Sequence, residues 1–210
     1  MRVLALVTLP TSGASNRLRV EQYVPLLHNQ GIELVVSPFF DERTYRILYR
    51  PGHTLAKAMG TLRGIARRIR DVLRVGRFDL VLVHRESAPL GPPLIERLLR
   101  RIRVPYVYDF DDALFLAPIH PANRRWAWLR EPSRYAESAW GAAAVTTGND
   151  YLAEWAREHN VDVSVIPTPV ETTVYRPRTI ERSGPVVIGW SGSSTTAPYL
   201  KLLDEVLAVL

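Results

Sequence analysis

The chain has 210 residues, 47% of them hydrophobic, which suffices for one domain of about 150–200 residues and part of another. It has no cysteine, which excludes disulfides and thiolate metal sites, and no apolar run approaches the ~18 residues of a membrane span. The net charge is +6, and nearly all of the positively charged residues are arginines, since Lys57 and Lys201 are the only lysines. The planar guanidinium group of arginine binds phosphate and carboxylate oxygens well. The first apolar run is too short for a signal peptide, so we expect a cytoplasmic protein.

Strand patterns alternate with helical patterns from the first residues to residue 166. The predicted strands are 3–7, 32–36, 80–83, 104–110, 144–146 and 163–166. The predicted helices are 17–30, 55–75, 92–102, 134–143 and 150–159, the last with Asp150 as its N-cap. This alternation predicts an α/β fold with a doubly wound, mostly parallel, Rossmann-like sheet covered on both faces.

The C-terminal part of the sequence repeats the opening of the N-terminal part. Four prolines within residues 167–185 predict a semi-rigid linker, and residues 186–210 then read as a second strand, small-residue loop and helix start. We therefore predict an N-terminal Rossmann-like domain (1–166), an interdomain linker (167–185) and the incomplete start of a second Rossmann-like domain (186–210). Such a start has nothing to pack on, so the chain is expected to be truncated or to form a dimer by swapping 186–210.

Two small-residue loops are candidate anion sites, because each precedes a predicted helix whose N-terminal amides favour negative charge. The first loop offers Gly13, Ala14, Ser15 and Arg17, and the second offers Gly192 and Ser193. Neither loop has the spacing of a dinucleotide or Walker A motif. An ordinary strand-to-helix turn is the structural alternative for the first loop.

A run of carboxylates follows the predicted strand 104–110. Asp109, Asp111 and Asp112 lie at the carboxyl edge of the sheet, where α/β proteins place their sites. Asp109 and Asp111 point to the same side if the strand stays extended, and two such carboxylates can hold Mg²⁺, share a proton or act as a base. The structural alternative is that Asp111 and Asp112 cap the next turn and pair with arginines.

Two basic segments have both functional and structural interpretations. The helix 55–75 could dock on anionic lipid headgroups, but we expect its apolar stripe to cover the sheet and its basic face to be solvated. The segment 120–140 places Trp126 and Trp128 among arginines, and such aromatic faces stack on sugar rings. The alternative for these tryptophans is packing of the loop against the body.

Three stretches together resemble retaining glycosyltransferases of family four, which have the GT-B fold. They are AAVTTGNDYLAEWAREHNVDVSVIPTPVETTVYRP (143–177), FDLVLVHRESAPLGPPLIERLLRRIRVPYVYDFDDALF (78–115) and IGWSGSSTTAPYL (188–200). The first keeps Ile166, Pro167, Val170, Thr172 and Pro177 of the family pattern. It has Thr168, Pro169 and Glu171 where Asn, Gly and Asp are usual.

The resemblance implies transfer of a sugar from a nucleotide-sugar donor to a saccharide or lipid-linked acceptor, as in polysaccharide biosynthesis. The donor would be held mainly by the C-terminal domain and the acceptor by the N-terminal domain, without an essential metal or cofactor. Many members carry a His where this sequence has Asp111. The family's basic pair after the second loop is not matched, and its acidic E-x7-E segment is not within these 210 residues, so we expect this chain to be inactive alone.

The resemblance assigns roles to the residues singled out above. Asp111, Asp109 and Asp112 are the catalytic candidates, and the small-residue loops would contact the donor phosphates. The candidate acceptor contacts are Arg19, Arg85, Glu86, Trp126 and Trp128. The implied partners are the donor and the acceptor, with no nucleic acid and with peripheral contact of helix 55–75 on the inner face of a membrane.

Two other functions stay open at the level of sequence. The run Val107–Asp112 also resembles the nucleophile motif of haloacid-dehalogenase-type phosphatases, in which Asp109 would be the nucleophile and Asp111 the acid, with Mg²⁺. Such enzymes need a downstream lysine and an acidic pair on a later strand, and Lys201 is the only later lysine. The other alternative is a non-enzymatic membrane or anion-binding module that uses the basic helix.

Overall fold

The structure is a computed structural model that describes residues 1–116, 133–177, 184–185, 187–192 and 197–208. It divides the chain into two compact units, Met1–Glu171 and Thr172–Leu210. The secondary structure of the first unit alternates between strand and helix, as the sequence predicts.

Six strands form one parallel sheet in the order β2-β1-β3-β4-β5-β6. Their bounds are β1 Arg2–Val7, β2 Glu33–Pro38, β3 Leu80–His84, β4 Tyr106–Phe110, β5 Ala144–Thr147 and β6 Val163–Val165. The predicted α/β class and parallel sheet are confirmed. The strand order changes direction at β1, because the chain passes to β2 on one side and then to β3 on the other. The loops that follow β1 and β3 diverge at this point, which is where α/β sheets open a ligand crevice.

Seven α-helices lie within the described residues of the first unit. Their bounds are α1 Ala14–Arg19, α2 Val24–Asn29, α3 Glu42–Leu48, α4 Thr54–Leu73, α5 Leu94–Arg101, α6 Ser133–Gly141 and α7 Asp150–Arg157. The predicted helix 17–30 is wrong as a single element, since a 3-10 turn separates α1 from α2. Pro25 lies in the first turn of α2, where its missing N–H costs no helical hydrogen bond.

Side-chain caps begin two of these helices. Asp41 accepts a 2.8 Å hydrogen bond from the amide of Thr44 and starts α3, a helix that the sequence analysis did not predict. Asn149 accepts a 3.0 Å bond from the amide of Leu152 and starts α7. The N-cap of α7 is therefore Asn149 and not Asp150, which is the first helical residue.

The core lies on both faces of the central strands. β1 is buried along Val3–Val7 and β3 carries the fully buried Val81 and Val83, as expected for parallel strands covered on both sides. Larger side chains fill the face under α5, α6 and α7. They include Leu99, Tyr106, Tyr108, Phe110, Tyr135 and Leu152.

Helix α4 is oriented opposite to the prediction from its apolar stripe. Its buried residues are Gly60, Gly64, Arg68 and Asp71, whereas the apolar stripe faces solvent. The expectation that this stripe covers the sheet is wrong. The small and polar face packs inward because Arg68 and Asp71 form a buried ion pair, with 3.1 Å between Nη1 and Oδ2.

The second unit is described by itself. It contains a 3-10 helix, Ala197–Leu203, and the short helix α8, Asp204–Leu207, and none of its described residues is buried. Residues 187–192, which carry most of the predicted second-domain strand, are not in a strand. Within the described ranges, no helix has both the length and the apolar character needed to cross a membrane.

Candidate active site at the carboxyl edge of the sheet

A cleft of about 350 Å³ opens where the strand order changes direction. It lies beside the ends of β1, β3 and β4. Its lining residues are Leu9, Ala14, Ser15, Leu18, Arg85, Asp111, Asp112 and Thr168. The structure therefore brings the predicted first loop and two of the three predicted carboxylates into one concave surface.

Asp109 lies below this cleft and is almost fully buried. It accepts hydrogen bonds from His84 Nδ1 at 2.7 Å and Thr146 Oγ1 at 2.6 Å, and it forms a buried ion pair with Arg19. Burial alone would raise the pKa of Asp109, but the hydrogen bonds from His84 and Arg19 and the positive charge of Arg19 outweigh burial and hold that pKa below its ordinary value. Asp109 is therefore a buried anion that holds its neighbours in place.

A continuous hydrogen-bonded chain leads from Asp109 to the cleft. His84 Nε2 lies 2.8 Å from Ser15 Oγ, and Ser15 Oγ lies 3.0 Å from each carboxylate oxygen of Asp111. The order is therefore Asp109, His84, Ser15, Asp111. The register of the parallel strands makes this possible, because His84 pairs with Asp109 across β3 and β4, at the end of the sheet nearest α1.

The single hydroxyl proton of Ser15 couples the protonation of His84 to the hydrogen bonding of Asp111. Ser15 has one hydroxyl proton, and both His84 Nε2 and Asp111 face it. If Ser15 donates to Asp111, Nε2 must donate to Ser15, and His84 is then an imidazolium beside Asp109. If His84 is neutral, with its proton on Nδ1, Ser15 donates to Nε2 and Asp111 loses its donor. A change of charge at Asp111 can therefore be transmitted to His84.

The loop after β3 places Arg85 over the cleft in an unusual backbone conformation. Arg85 has φ of 66°, a left-handed value that is uncommon for a non-glycine residue and is often found at functional sites. Its amide donates to the Asp109 carbonyl at 2.7 Å, and its guanidinium pairs with Asp112 at 2.7 Å. Gly148 packs closely on the other side, since a Cβ there would lie 3.2 Å from Asp111 Cα.

Several predicted site residues lie in or near the cleft but have other partners. The Glu86 side chain is buried and accepts a 2.5 Å hydrogen bond from the Tyr135 hydroxyl. Arg17 is exposed, and its guanidinium donates to the Thr11 carbonyl at 3.3 Å. Gly13 is buried against Leu9, and the preceding amide of Ser12 donates to Glu42. The roles predicted for these residues stay predictions.

Three predicted contacts lie outside the described residues: Trp126, Trp128 and Ser193. Gly192 lies in the second unit and is exposed. The roles predicted for these four residues stay predictions.

Two members of the hydrogen-bonded chain were missed or differently assigned by the sequence analysis. His84 was not singled out, although it directly follows the predicted strand 80–83, and Asp109 lies near the end of the neighbouring strand. Ser15 was assigned to an anion site, but its hydroxyl faces the Asp111 carboxylate. Comparing the carboxyl ends of neighbouring predicted strands would have pointed to His84, since these ends meet at one edge.

Comparison with known protein families identifies the first unit. The family model described as "Glycosyl transferase 4-like domain" matches residues 5–169. The chain belongs to this glycosyl transferase 4-like family. A search of the curated proteins found no match. The predicted family resemblance is confirmed, and the site described above lies inside the matched region.

Membership of the glycosyl transferase 4-like family supports glycosyl transfer between a sugar donor and an acceptor. The phosphatase alternative has no support. Both oxygens of Asp109, its required nucleophile, already accept hydrogen bonds in a buried environment. Within the part of the chain that the structure describes, no group of three or more His, Asp or Glu side chains could hold a metal ion.

Proposed function

We propose that this protein is a glycosyltransferase that takes a sugar from a nucleotide-sugar donor and transfers it to a saccharide or lipid-linked acceptor, with retention of configuration. We assign the acceptor to the cleft of the first unit. The observation that carries this assignment is a series of side-chain hydrogen bonds that links Asp109, His84, Ser15 and Asp111. The series ends in the Asp111 carboxylate on the cleft wall. The nucleotide sugar would be a co-substrate, and no further cofactor is proposed.

Asp111 is the group proposed to contact the acceptor hydroxyl. Its carboxylate is half-buried in the cleft and holds lone pairs beyond those that face Ser15. A carboxylate accepts a hydrogen bond from a sugar hydroxyl and raises the electron density on its oxygen, which is the role of a general base. Retention requires the acceptor oxygen to attack the sugar C1 from the face that the donor phosphate leaves. As the bond from C1 to the phosphate breaks, the nucleoside diphosphate would depart with the electron pair, and the acceptor proton would pass to Asp111.

Ser15 and His84 are proposed as positioning residues behind Asp111. When His84 is neutral, Ser15 donates to Nε2. The proton that arrives on Asp111 would then give this carboxyl a donor for the Ser15 oxygen. Asp109 and Arg19 keep the imidazole fixed, since Asp109 binds Nδ1 and is itself paired with Arg19. Arg85 and Asp112 would contact the acceptor or the diphosphate from the rim of the cleft.

Binding of saccharides to the whole 210-residue protein tests the acceptor assignment. We expect a glycan array to show binding to a limited set of saccharides, with Asp111→Asn weakening it about tenfold because a charge-assisted hydrogen bond becomes a neutral one. The matched control is Asp162→Asn, an exposed carboxylate away from the cleft. Equal binding by both variants, or no bound saccharide, would contradict the assignment.

The donor side of the proposal has its own measurement. We propose that these 210 residues bind nucleotide sugars weakly and do not transfer sugar by themselves, because the built site lies within Met1–Glu171, the unit assigned to the acceptor. Calorimetric titration with UDP-glucose, UDP-N-acetylglucosamine and GDP-mannose tests this. Tight binding of any of them would overturn the division of roles between acceptor and donor.

Two further predictions concern assembly and location. A dimer formed by swapping 186–210 stays a prediction, and sedimentation velocity of the whole chain measures it directly. If the acceptor is lipid-linked, transfer of sugar to it would require the protein to lie at the inner face of a membrane.

A further inference from the structure

The apolar stripe of α4 forms a continuous exposed ridge. We name it the α4 ridge and define it as Leu55, Met59, Leu62, Ile65, Ile69 and Leu73. The exposed fractions of these side chains run from 44% for Ile65 to 84% for Leu55. Since α4 has 20 residues, the ridge extends for about 30 Å along the surface of the first unit.

The inward face of α4 explains why this ridge cannot turn toward the core. A Cβ on Gly60 would overlap Thr44 Cγ2, and a Cβ on Gly64 would lie 2.5 Å from Phe39 Cε1. These glycines let the helix approach α3 and the end of β2 closely. A larger side chain does not fit at these two positions, and the apolar residues lie on the opposite face of the helix.

Buried arginine contacts fix the same orientation. Arg68 donates to the Val7 carbonyl at 2.8 Å, to the Ser87 carbonyl at 2.5 Å and to Asp71 at 3.1 Å. Arg67 donates to the carbonyls that end β2, Pro38 at 2.6 Å and Phe39 at 2.8 Å. Val7 and Ser87 lie at the carboxyl edge of the sheet, so α4 is rigidly joined to the edge at which the cleft opens.

The charges beside the ridge are positive. Helix α4 carries five basic residues and one acidic residue, Asp71, whose side chain is buried. Arg63, Arg70 and Arg74 are exposed along one flank of the ridge, and Asp71 lies 3.5 Å from Arg74 and 4.0 Å from Arg70. Because one carboxylate is shared among several guanidinium groups, the flank keeps a net positive charge.

We propose that the α4 ridge docks into the headgroup region of an anionic lipid bilayer. The apolar side chains would enter the boundary between headgroups and acyl chains, and the arginines along the flank would contact lipid phosphates. This arrangement goes beyond the proposed glycosyl transfer, since it assigns a separate surface and a separate binding partner. It would also hold the carboxyl edge of the sheet, and thus the cleft, at a fixed position relative to the lipid.

A second copy of this chain fits the ridge less well than a lipid surface. Symmetric pairing of two ridges would bring the arginine flanks of both copies together, and like charges brought together destabilise an interface. An anionic bilayer complements both the apolar stripe and the positive flank.

Co-sedimentation of the whole protein with vesicles tests the proposal. Vesicles of phosphatidylcholine mixed with phosphatidylglycerol should bind the protein, binding should fall as salt is raised, and vesicles of phosphatidylcholine alone should bind it poorly. Leu62→Gln with Ile69→Gln should abolish binding to the anionic vesicles. The matched control is Leu94→Gln with Ile102→Gln, two exposed apolar residues at α5.

Charge variants measure the electrostatic contribution to vesicle binding separately from the apolar contribution. Arg63→Gln with Arg70→Gln should weaken binding to the anionic vesicles roughly 30-fold, since each basic residue near the surface contributes about fivefold. Arg101→Gln with Arg157→Gln removes two exposed charges on α5 and α7 and should leave binding within about threefold.

The absence of cysteine allows a direct measurement of insertion. Leu62→Cys, labelled with an environment-sensitive fluorophore, should show a blue-shifted emission on adding anionic vesicles, and labelled Leu94→Cys should not. No binding by the wild type, equal binding by the ridge variant, or a dimer that the ridge variant dissociates would overturn the proposal. These measurements need no donor or acceptor, so their failure would leave the proposed glycosyl transfer untouched.

Discussion

Asp109 is the residue on which the stability of the site most depends. Its carboxylate compensates the buried guanidinium of Arg19 and accepts hydrogen bonds from His84 and Thr146. Asp109→Asn leaves the Arg19 charge buried without a counter-charge, so the free energy of unfolding should fall by about 3–5 kcal/mol. Urea denaturation measures this, with the exposed Asp162→Asn expected to change it by less than about 0.5 kcal/mol. A loss of the same size in both variants would show that Asp109 is not the stabilising group.

The lowered pKa of Asp109 also predicts how stability depends on acid. In the unfolded chain an aspartate has a pKa of about 3.9, so the stabilisation is fully present above that value. It is lost as the pH falls through about 3.9 toward the lower pKa of the folded state. The thermal midpoint of the wild type should therefore fall more steeply below pH ~4 than that of Asp109→Asn. Parallel pH profiles would contradict this linkage.

Glu96 should behave in the opposite way. Its side chain is buried beside Ser87, which donates to it at 3.0 Å, and burial raises its pKa above the ordinary value. The folded state therefore binds a proton more tightly than the unfolded state, and stability falls as the pH rises from about 4.3 through the raised folded pKa. Glu96→Gln should flatten this decline in calorimetric midpoints, whereas the exposed Glu154→Gln should not.

The sequence could identify some residues of the site but not their pairing. Asp109 and Asp111 were predicted from the carboxylate run at the end of a strand. Their different roles follow from depth, since Asp109 lies under α1 beside Arg19 and Asp111 lies on the cleft wall. Which arginine reaches which carboxylate depends on how α1 packs against β4, and residue types alone do not contain that information.

Among the helices, α4 offers the sharpest test of packing. Gly64→Ala would place a Cβ within 2.5 Å of the Phe39 ring, so the ring or the helix must move. We expect a net loss of about 1–3 kcal/mol in the free energy of unfolding, larger than the ~1 kcal/mol that alanine gains in helix propensity. Gly76→Ala, where no atom lies within 4 Å of the added Cβ, should be neutral or slightly stabilising. A stabilised Gly64→Ala variant would show that the two elements are not in close contact.

Helices and strands were predicted correctly where a single physical rule decided the structure. Each of the six strands was located because apolar runs bounded by polar turns match buried parallel strands. The orientation of α4 was predicted wrongly because an apolar stripe usually packs inward. Here Gly60, Gly64 and the buried Arg68–Asp71 ion pair place the opposite face of the helix inward. The split between α1 and α2 depends on Pro25, whose effect on a helix is decided by its position in the first turn.

At the scale of the whole molecule, the sequence predicted one complete sheet domain and the start of another. The first is confirmed as an α/β unit of the glycosyl transferase 4-like family. The boundaries predicted at 166 and 185 stay predictions. For the second unit, residues 187–192 are not in a strand, because a parallel strand exists only where a neighbouring strand supplies its hydrogen bonds.

Independent folding of the first unit is the prediction that belongs to this scale. All six strands and every buried apolar residue of the described core lie within Met1–Glu171, whereas no described residue of the second unit is buried. A chain ended after Glu171 should therefore unfold cooperatively, with a thermal midpoint within about 2–4 °C of the 210-residue protein, which corresponds to a change of about 1 kcal/mol or less. Differential scanning calorimetry of both chains measures this. A large fall in the midpoint, or loss of the cooperative transition, would mean that residues 172–210 contribute to the folding of the site.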